Sequence, residues 1–169
     1  MTGQNTSTAV MQRRGMTAPG ELDLFPTPPW ATRALMAFLQ WHLTTEQAGY
    51  RAFHMQSCWE PACGLGDMVK PLREFFGEVR DSDVYQYGNN MLCDFIMEGR
   101  QHPPVDWIIT NPPFMLAREF IEVALDQARI GVAMLVRSAF MEGAERHREL
   151  FAPYPPDVVA QFCSRVVML

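Results

Sequence analysis

Short apolar runs alternate with segments of helical periodicity along most of this chain, and that alternation restricts the folds open to it more than any other feature. A strand, a helix and a further strand pack as a right-handed crossover, so repeated units build a parallel sheet with helices over its faces. Residues 55–59 are short and largely apolar and enter a glycine-containing turn at 64–66, the pattern of a buried strand passing through a loop into a helix. A second strand is predicted over 78–84, and weaker signals surround 92–96. Next comes Val105-Asp106-Trp107-Ile108-Ile109-Thr110, stopped by Asn111-Pro112-Pro113. Leu116, Phe120, Ala124 and Ala128 then recur every four residues, with Arg118, Glu122, Asp126 and Arg129 on the other side, which predicts an amphipathic helix. The continuous apolar run over 131–136 reads as a strand covered on both faces. A helix around 143–151 and a last strand around 158–167 complete the pattern. Upstream, Thr27 is placed to cap a helix whose first residue is Pro28, with Ala34, Leu35, Phe38, Leu39 and Leu43 as its apolar face.

Composition narrows the function classes. The 169 residues are 48% hydrophobic and 20% charged, enough for one core, and the expected organisation is a disordered N-terminal arm over 1–20 followed by a single domain over 21–169. No apolar run approaches the roughly 20 residues of a membrane span, and no signal-peptide pattern opens the chain, so a cytoplasmic protein without membrane contact is expected. Cysteines at 58, 63, 93 and 163 form no Cys-x-x-Cys pair, and the four histidines share no ligand spacing with them, so free thiols and no bound metal are expected. A net charge of −5 argues against attachment to nucleic acid through bulk charge, though not against a local basic patch.

Two motifs stand where strands should meet loops. In Glu60-Pro61-Ala62-Cys63-Gly64-Leu65-Gly66-Asp67 the glycines allow backbone to approach a ligand. Val69 stands where a dinucleotide fingerprint requires glycine or alanine, and the P-loop Gly-Lys-Ser/Thr is absent, which leaves a nucleoside without a diphosphate. Asp83, at the end of the second strand, is placed to accept both ribose hydroxyl hydrogens, with Asp81 the near alternative. The second motif is Asn111-Pro112-Pro113-Phe114. Two successive prolines cannot extend a sheet interior, so the chain leaves the strand in a rigid extended form that presents Asn111 at the sheet's carboxyl edge. The Asn111 amide oxygen and the Pro112 carbonyl can then accept the hydrogens of one exocyclic amine, favouring a pyramidal nitrogen whose lone pair faces an electrophile. Phe114 offers a flat face for a stacked base, a contact worth roughly 1–3 kcal/mol.

Together with Phe25-Pro26-Thr27-Pro28-Pro29-Trp30, these motifs resemble the class I S-adenosylmethionine-dependent methyltransferases, and most closely the adenine-N6 DNA methyltransferases of small phage and prophage type. The resemblance spans about residues 22–167, with the three motifs in the family's order. It implies a Rossmann-like three-layer sandwich with a mostly parallel sheet, S-adenosyl-L-methionine as cofactor and DNA as partner. By the same resemblance, Thr27 would hold the methionine carboxylate and Glu60, Ala62, Gly64 and Gly66 would line the methionine and sugar. Asp83 would bind the ribose, while Asp94 and Phe95 would pair with and cover the adenine ring. Asn111, Pro112, Pro113 and Phe114 would form the catalytic segment, and Phe140 a second aromatic closing on the base. A base inside a duplex cannot reach such a cleft, so a flipped or unpaired adenine is implied. A cytosine-C5 mechanism would need a Pro-Cys dipeptide, and the chain has none.

Members of this fold usually finish with an antiparallel hairpin, and the sequence stops close after the expected sixth strand, so the expectation is either a truncated chain or an edge strand that a second copy could pair with. Base-specific contacts would fall to the loops after Phe114 and Phe140, to Arg146-His147-Arg148, or to Arg13 and Arg14. Two alternatives stay open: methylation of a guanine amine in RNA or of a protein glutamine amide, and a non-catalytic binding module.

Overall fold

The computed structural model describes residues 24–46 and 51–167. Its single sheet contains β1 (Ser57–Glu60), β2 (Glu78–Asp83), β3 (Met91–Leu92), β4 (Val105–Thr110) and β5 (Ala128–Met134), ordered β3-β2-β1-β4-β5 with every neighbouring pair parallel. The chain works outward from β1 through β2 to β3, then returns to the other side of β1 for β4 and β5. The strand order therefore reverses between β1 and β4, where loops leave for opposite faces and a crevice opens at the carboxyl ends.

Side-chain alternation along the central strands decides what packs on each face. Cys58, Trp107 and Ile109 meet Met36 and Leu43 of α1 (Pro29–Glu46) and Leu72 of α2 (Val69–Leu72) on one side. Trp59 and Ile108 meet Phe95 of α3 (Phe95–Glu98) and Phe120, Val123 and Ala124 of α4 (Ala117–Gln127) on the other. Helices thus cover both faces, giving the expected three-layer α/β sandwich. Val105 packs with the Ile108 face, out of step with simple alternation, beside a register irregularity in which three residues of β5 span two of β4.

Several local expectations are corrected. α1 starts at Pro29, and its buried stripe runs through Ala31, Thr32, Met36 and Leu43, while Ala34 is exposed. Apolar residues lie on more than one side of this helix, so periodicity alone did not choose between stripes. β5 begins at Ala128 and is half-exposed rather than covered on both faces, because only β4 pairs with it among the described residues. The weak signal at 92–96 divides into the two-residue β3 and the start of α3. The helix expected at 143–151 is α5 (Ala144–Arg146), running into a π-helical turn over His147–Phe151. No strand forms over 158–167. Those residues are irregular and mostly exposed, and Phe162 packs edge-on against Trp30 at 5.5 Å. A strand requires a partner for its backbone groups, and Pro155-Pro156 interrupts the approach.

Among the described residues, no helix is long and apolar enough to cross a membrane, and no three His, Cys, Asp or Glu side chains gather as for a metal ion. All four cysteines are free; Cys58, Cys63 and Cys93 are buried and Cys163 is exposed. The arm expected over 1–20, with Arg13 and Arg14, lies outside the described residues.

Candidate active site

The loop leaving β1 is shaped by two left-handed residues, Gly64 at φ +49° and Gly66 at φ +81°. A Cβ on Gly64 would stand 2.6 Å from Leu24 Cδ1, so glycine there serves both the turn and the close approach of the segment preceding α1. The Gly64 N–H donates to Asp83 Oδ2 at 2.9 Å, and the Tyr85 N–H donates to Asp83 Oδ1 at 3.1 Å. Burial pushes the Asp83 carboxyl above the usual aspartate range, while these backbone donors pull it back. Each of its oxygens retains acceptor capacity beyond one backbone donor. Asp81 is no competitor for this place, since it is held by Arg73 at 2.7 Å.

Glu60 ends β1 with no exposed surface. Its Oε1 accepts from the Ala62 N–H at 3.1 Å and from the Thr110 hydroxyl, so one carboxyl fastens the ends of the adjacent strands β1 and β4. Its Oε2 has no hydrogen-bond partner. Desolvation, opposed by those two donors and reinforced by Asp83 and Asp81, raises its pKa to about 8, so the group is mostly protonated at neutral pH. The neighbouring Cys63 thiol is pushed up to about 12, first by burial and then by these carboxylates, which makes it a poor nucleophile.

Beyond β4 the chain turns into Asn111-Pro112-Pro113. The Asn111 Nδ2 donates to the Phe25 carbonyl oxygen at 3.3 Å and to Thr27 Oγ1 at 3.0 Å. A carbonyl can only accept, so the amide's NH2 end must face residue 25, which fixes the oxygen at the opposite end. The Phe-Pro-Thr and Asn-Pro-Pro segments, 84 residues apart at Thr27 and Asn111, are thereby joined.

One cavity of about 570 Å³ lies at this rim, lined by Thr27, Ala62, Gly64, Asp83, Asp94, Phe95, Asn111, Pro112 and Pro113 among others. The double-glycine and twin-proline bends therefore face each other across a single space of small-molecule size. Asp94 caps α3, its Oδ1 accepting from the Ile96 and Met97 N–H groups at 3.1 and 3.2 Å. The Phe95 ring is almost wholly buried, meeting Trp59 edge-on at 5.0 Å and Phe120 at 5.1 Å, so it serves the core as well as the cavity wall.

Glu60, Gly66, Phe114 and Phe140, all named from the sequence, do not line this cavity. Glu60 is spent on bracing the strands. Gly66 closes the turn, its N–H donating to the Cys63 carbonyl at 2.8 Å and its carbonyl accepting from the Lys70 N–H at 3.1 Å. The Phe114 ring meets Phe25 at 4.9 Å and lies 4.0 Å beneath the Arg137 guanidinium. Phe140 lies against Phe151 at 6.0 Å and beneath the Arg146 guanidinium at 4.4 Å. Arg146 also donates to the Phe140 and Glu142 carbonyls, and Arg148 pairs with Glu149, so two cations of the Arg-His-Arg cluster are engaged within the fold. Tyr87, which lines the cavity, and Arg137, which covers Phe114, were not named from the sequence, and Phe25 was named only within its motif. Position was the available signal for Arg137, which leaves the carboxyl end of β5 at the same rim.

No family model and no curated protein sequence matches the chain. Solved structures do. A Thermus thermophilus TrmN matches over 64% of this chain and 38% of its own, at 20% identity and TM-score 0.48, so this chain spans well under half of that protein. The Pyrococcus horikoshii protein PH1948, provisionally named an RNA methyltransferase, matches over 81% and 71% at 17% identity and TM-score 0.54. A precorrin 8w decarboxylase of Methanobacterium thermoautotrophicum matches over 78% and 74% at 15% identity and TM-score 0.51. At these identities the likeness is one of fold: the chain has the Rossmann-like class I methyltransferase fold.

Proposed function

We propose that this chain is an S-adenosylmethionine-dependent methyltransferase acting on the exocyclic N6 amine of adenine in DNA. The observation that carries the reading is the single cavity between Ala62–Gly64 and Asn111–Pro113, at the point where the strand order reverses.

The residues present fit the cofactor. Gly64 lines the cavity, and the Asp83 oxygens keep lone pairs for the ribose hydroxyls. Asp94 has Oδ2 left for the adenine amine, because Oδ1 is used on the cap. Thr27, buried before the first helix, lies where a methionine carboxylate would meet that helix's positive end. When bound, S-adenosylmethionine supplies an activated methyl on a sulfonium, so no protein nucleophile is needed and the elevated Cys63 thiol can stand idle. The catalytic work then falls to alignment. The Asn111 amide oxygen and Pro112 carbonyl would hold the two hydrogens of the acceptor amine and share its developing positive charge, while Phe25 and Thr27 keep the amide from rotating. Phe114 would receive the base outside the cofactor cavity.

The Pyrococcus match supports a second reading, an RNA amine, because nothing in an Asn-Pro-Pro-Phe segment distinguishes one planar nitrogen from another. Methyl-labelled cofactor incubated with DNA, RNA and protein, followed by nucleoside and amino-acid mass analysis, separates these. Label in DNA as N6-methyladenine is expected, and label confined to RNA or protein overturns the DNA reading. Asn111→Ala should abolish transfer and weaken cofactor binding only a few-fold, since it also releases the 25–27 segment. Persistent transfer with lost cofactor affinity would reverse the assignment of the two pockets.

A further inference from the structure

Phe114 is the flat face on which an acceptor base would rest, yet in the free protein that face is taken. The Arg137 guanidinium lies 4.0 Å from the ring centre, close to where a stacked base would lie. Arg137 precedes a short turn at Ser138–Met141 and follows β5, while the Leu135 N–H bonds to the Thr110 carbonyl at 2.9 Å and holds this exit beside the twin-proline loop. The other arginines at this end are committed: Arg146 to carbonyls, Arg148 to Glu149, and Arg118 to Glu122 and Glu149. Arg137 differs. Among the described residues no carboxylate pairs with it, and its Nε is buried without a hydrogen-bond acceptor. A half-buried cation with an unmet donor prefers any state that gives it an anion.

We propose that Arg137 is a placeholder: its planar guanidinium covers Phe114 until the target base displaces it, and it then turns to the phosphate of the nucleotide that brought the base. This rests on the reading that the Asn111 segment grips a nucleobase amine, and it deepens that reading by specifying the acceptor as a nucleotide within a strand, where ring and anion arrive together. A neutral protein amide would offer neither a ring to displace the guanidinium nor an anion to receive it. Guanidinium suits both duties because it stacks as a plane and binds phosphate through a fork of donors.

The placeholder role makes two ligands respond in opposite directions. Wild type, Arg137→Ala and Arg137→Lys, each saturated with S-adenosylhomocysteine, are titrated with adenosine and with a single-stranded oligodeoxynucleotide containing one adenine. In Arg137→Ala, oligonucleotide binding should fall about tenfold or more, the loss of a charge-assisted contact. Its dependence of log K on log salt should become shallower by about 0.7, one phosphate's share on a single strand. Adenosine, which carries no phosphate, should bind several-fold more tightly because its competitor for Phe114 has gone. Arg137→Lys should restore the salt slope but keep the adenosine gain, since lysine retains the charge and not the plane. If Arg137 only supported the fold, both ligands would weaken together, and that result, or an unchanged salt slope, overturns the proposal. Should wild type bind the oligonucleotide and methylate it while Arg137→Ala behaves identically, the placeholder falls and the methyltransferase reading stands. If wild type binds no polynucleotide at all, both fall.

Discussion

Replacing Glu60 with glutamine should reverse which of two proteins is the more stable between pH 5 and pH 8. Glu60 is wholly buried, and its pKa rises from an ordinary 4.5 to about 8 on folding. A folded-state pKa above the unfolded value means that the unfolded chain sheds its proton first as pH rises. The native state is therefore favoured by this group below about pH 4.5, and that advantage drains away as pH climbs toward 8. Over those three and a half units, at about 1.36 kcal/mol each, the loss approaches 5 kcal/mol. Glutamine has no proton to lose. Its carbonyl can still accept from Ala62 and Thr110, but its NH2 would place two hydrogens where protonated Glu60 places one on the unpartnered Oε2, an added cost of about 1–3 kcal/mol. The variant should thus be less stable than wild type at pH 5 and more stable at pH 8 by a similar amount, with the curves crossing between about pH 5 and 7. Urea denaturation at four pH values measures this directly, and carboxylates that do not interact with Glu60 cancel in the difference. Parallel curves would show that Glu60 ionises as readily in the folded protein as in the unfolded chain and refute the burial argument.

Two glycines offer independent checks of the packing. Gly131→Ala would drive a Cβ to 2.4 Å from the buried Trp107 ring, and because a ring in the sheet core has little room to move, a loss of about 1–3 kcal/mol is expected in chemical denaturation. An alanine protein as stable as wild type would mean that β5 lies farther from β4 than described. Gly64→Ala places a side chain at φ +49° and against Leu24 Cδ1, whose flexible end can yield. Stability should drop by about 1–2 kcal/mol, and S-adenosylhomocysteine affinity, read by calorimetry, should fall about tenfold as Leu24 is pushed into the cavity. Undiminished affinity would remove Gly64 from the site.

The alternation of apolar runs and helical periods determined the parallel three-layer architecture, because a strand buried on both faces and an amphipathic helix leave few other ways to bury apolar surface. β4 was legible to the residue, being bounded by Asn111-Pro112-Pro113, which cannot continue a sheet. The two motif loops were legible for the same reason: glycine and proline act on their own backbone. What depended on partners was not. The inward stripe of α1, the exposed flank of β5 and the irregular path over 158–167 follow from which neighbours are present, and local periodicity carries no record of neighbours. The same holds at the site. Glu60 lies in the loop motif yet braces β1 to β4, Phe114 lies in the catalytic motif yet packs on Phe25 without lining the cavity, and Arg137 belongs to no motif yet covers Phe114. Only tertiary structure decided these, because a side chain's role there is set by contacts across tens of residues, where burial, an unpaired oxygen or an unpaired cation first comes into being.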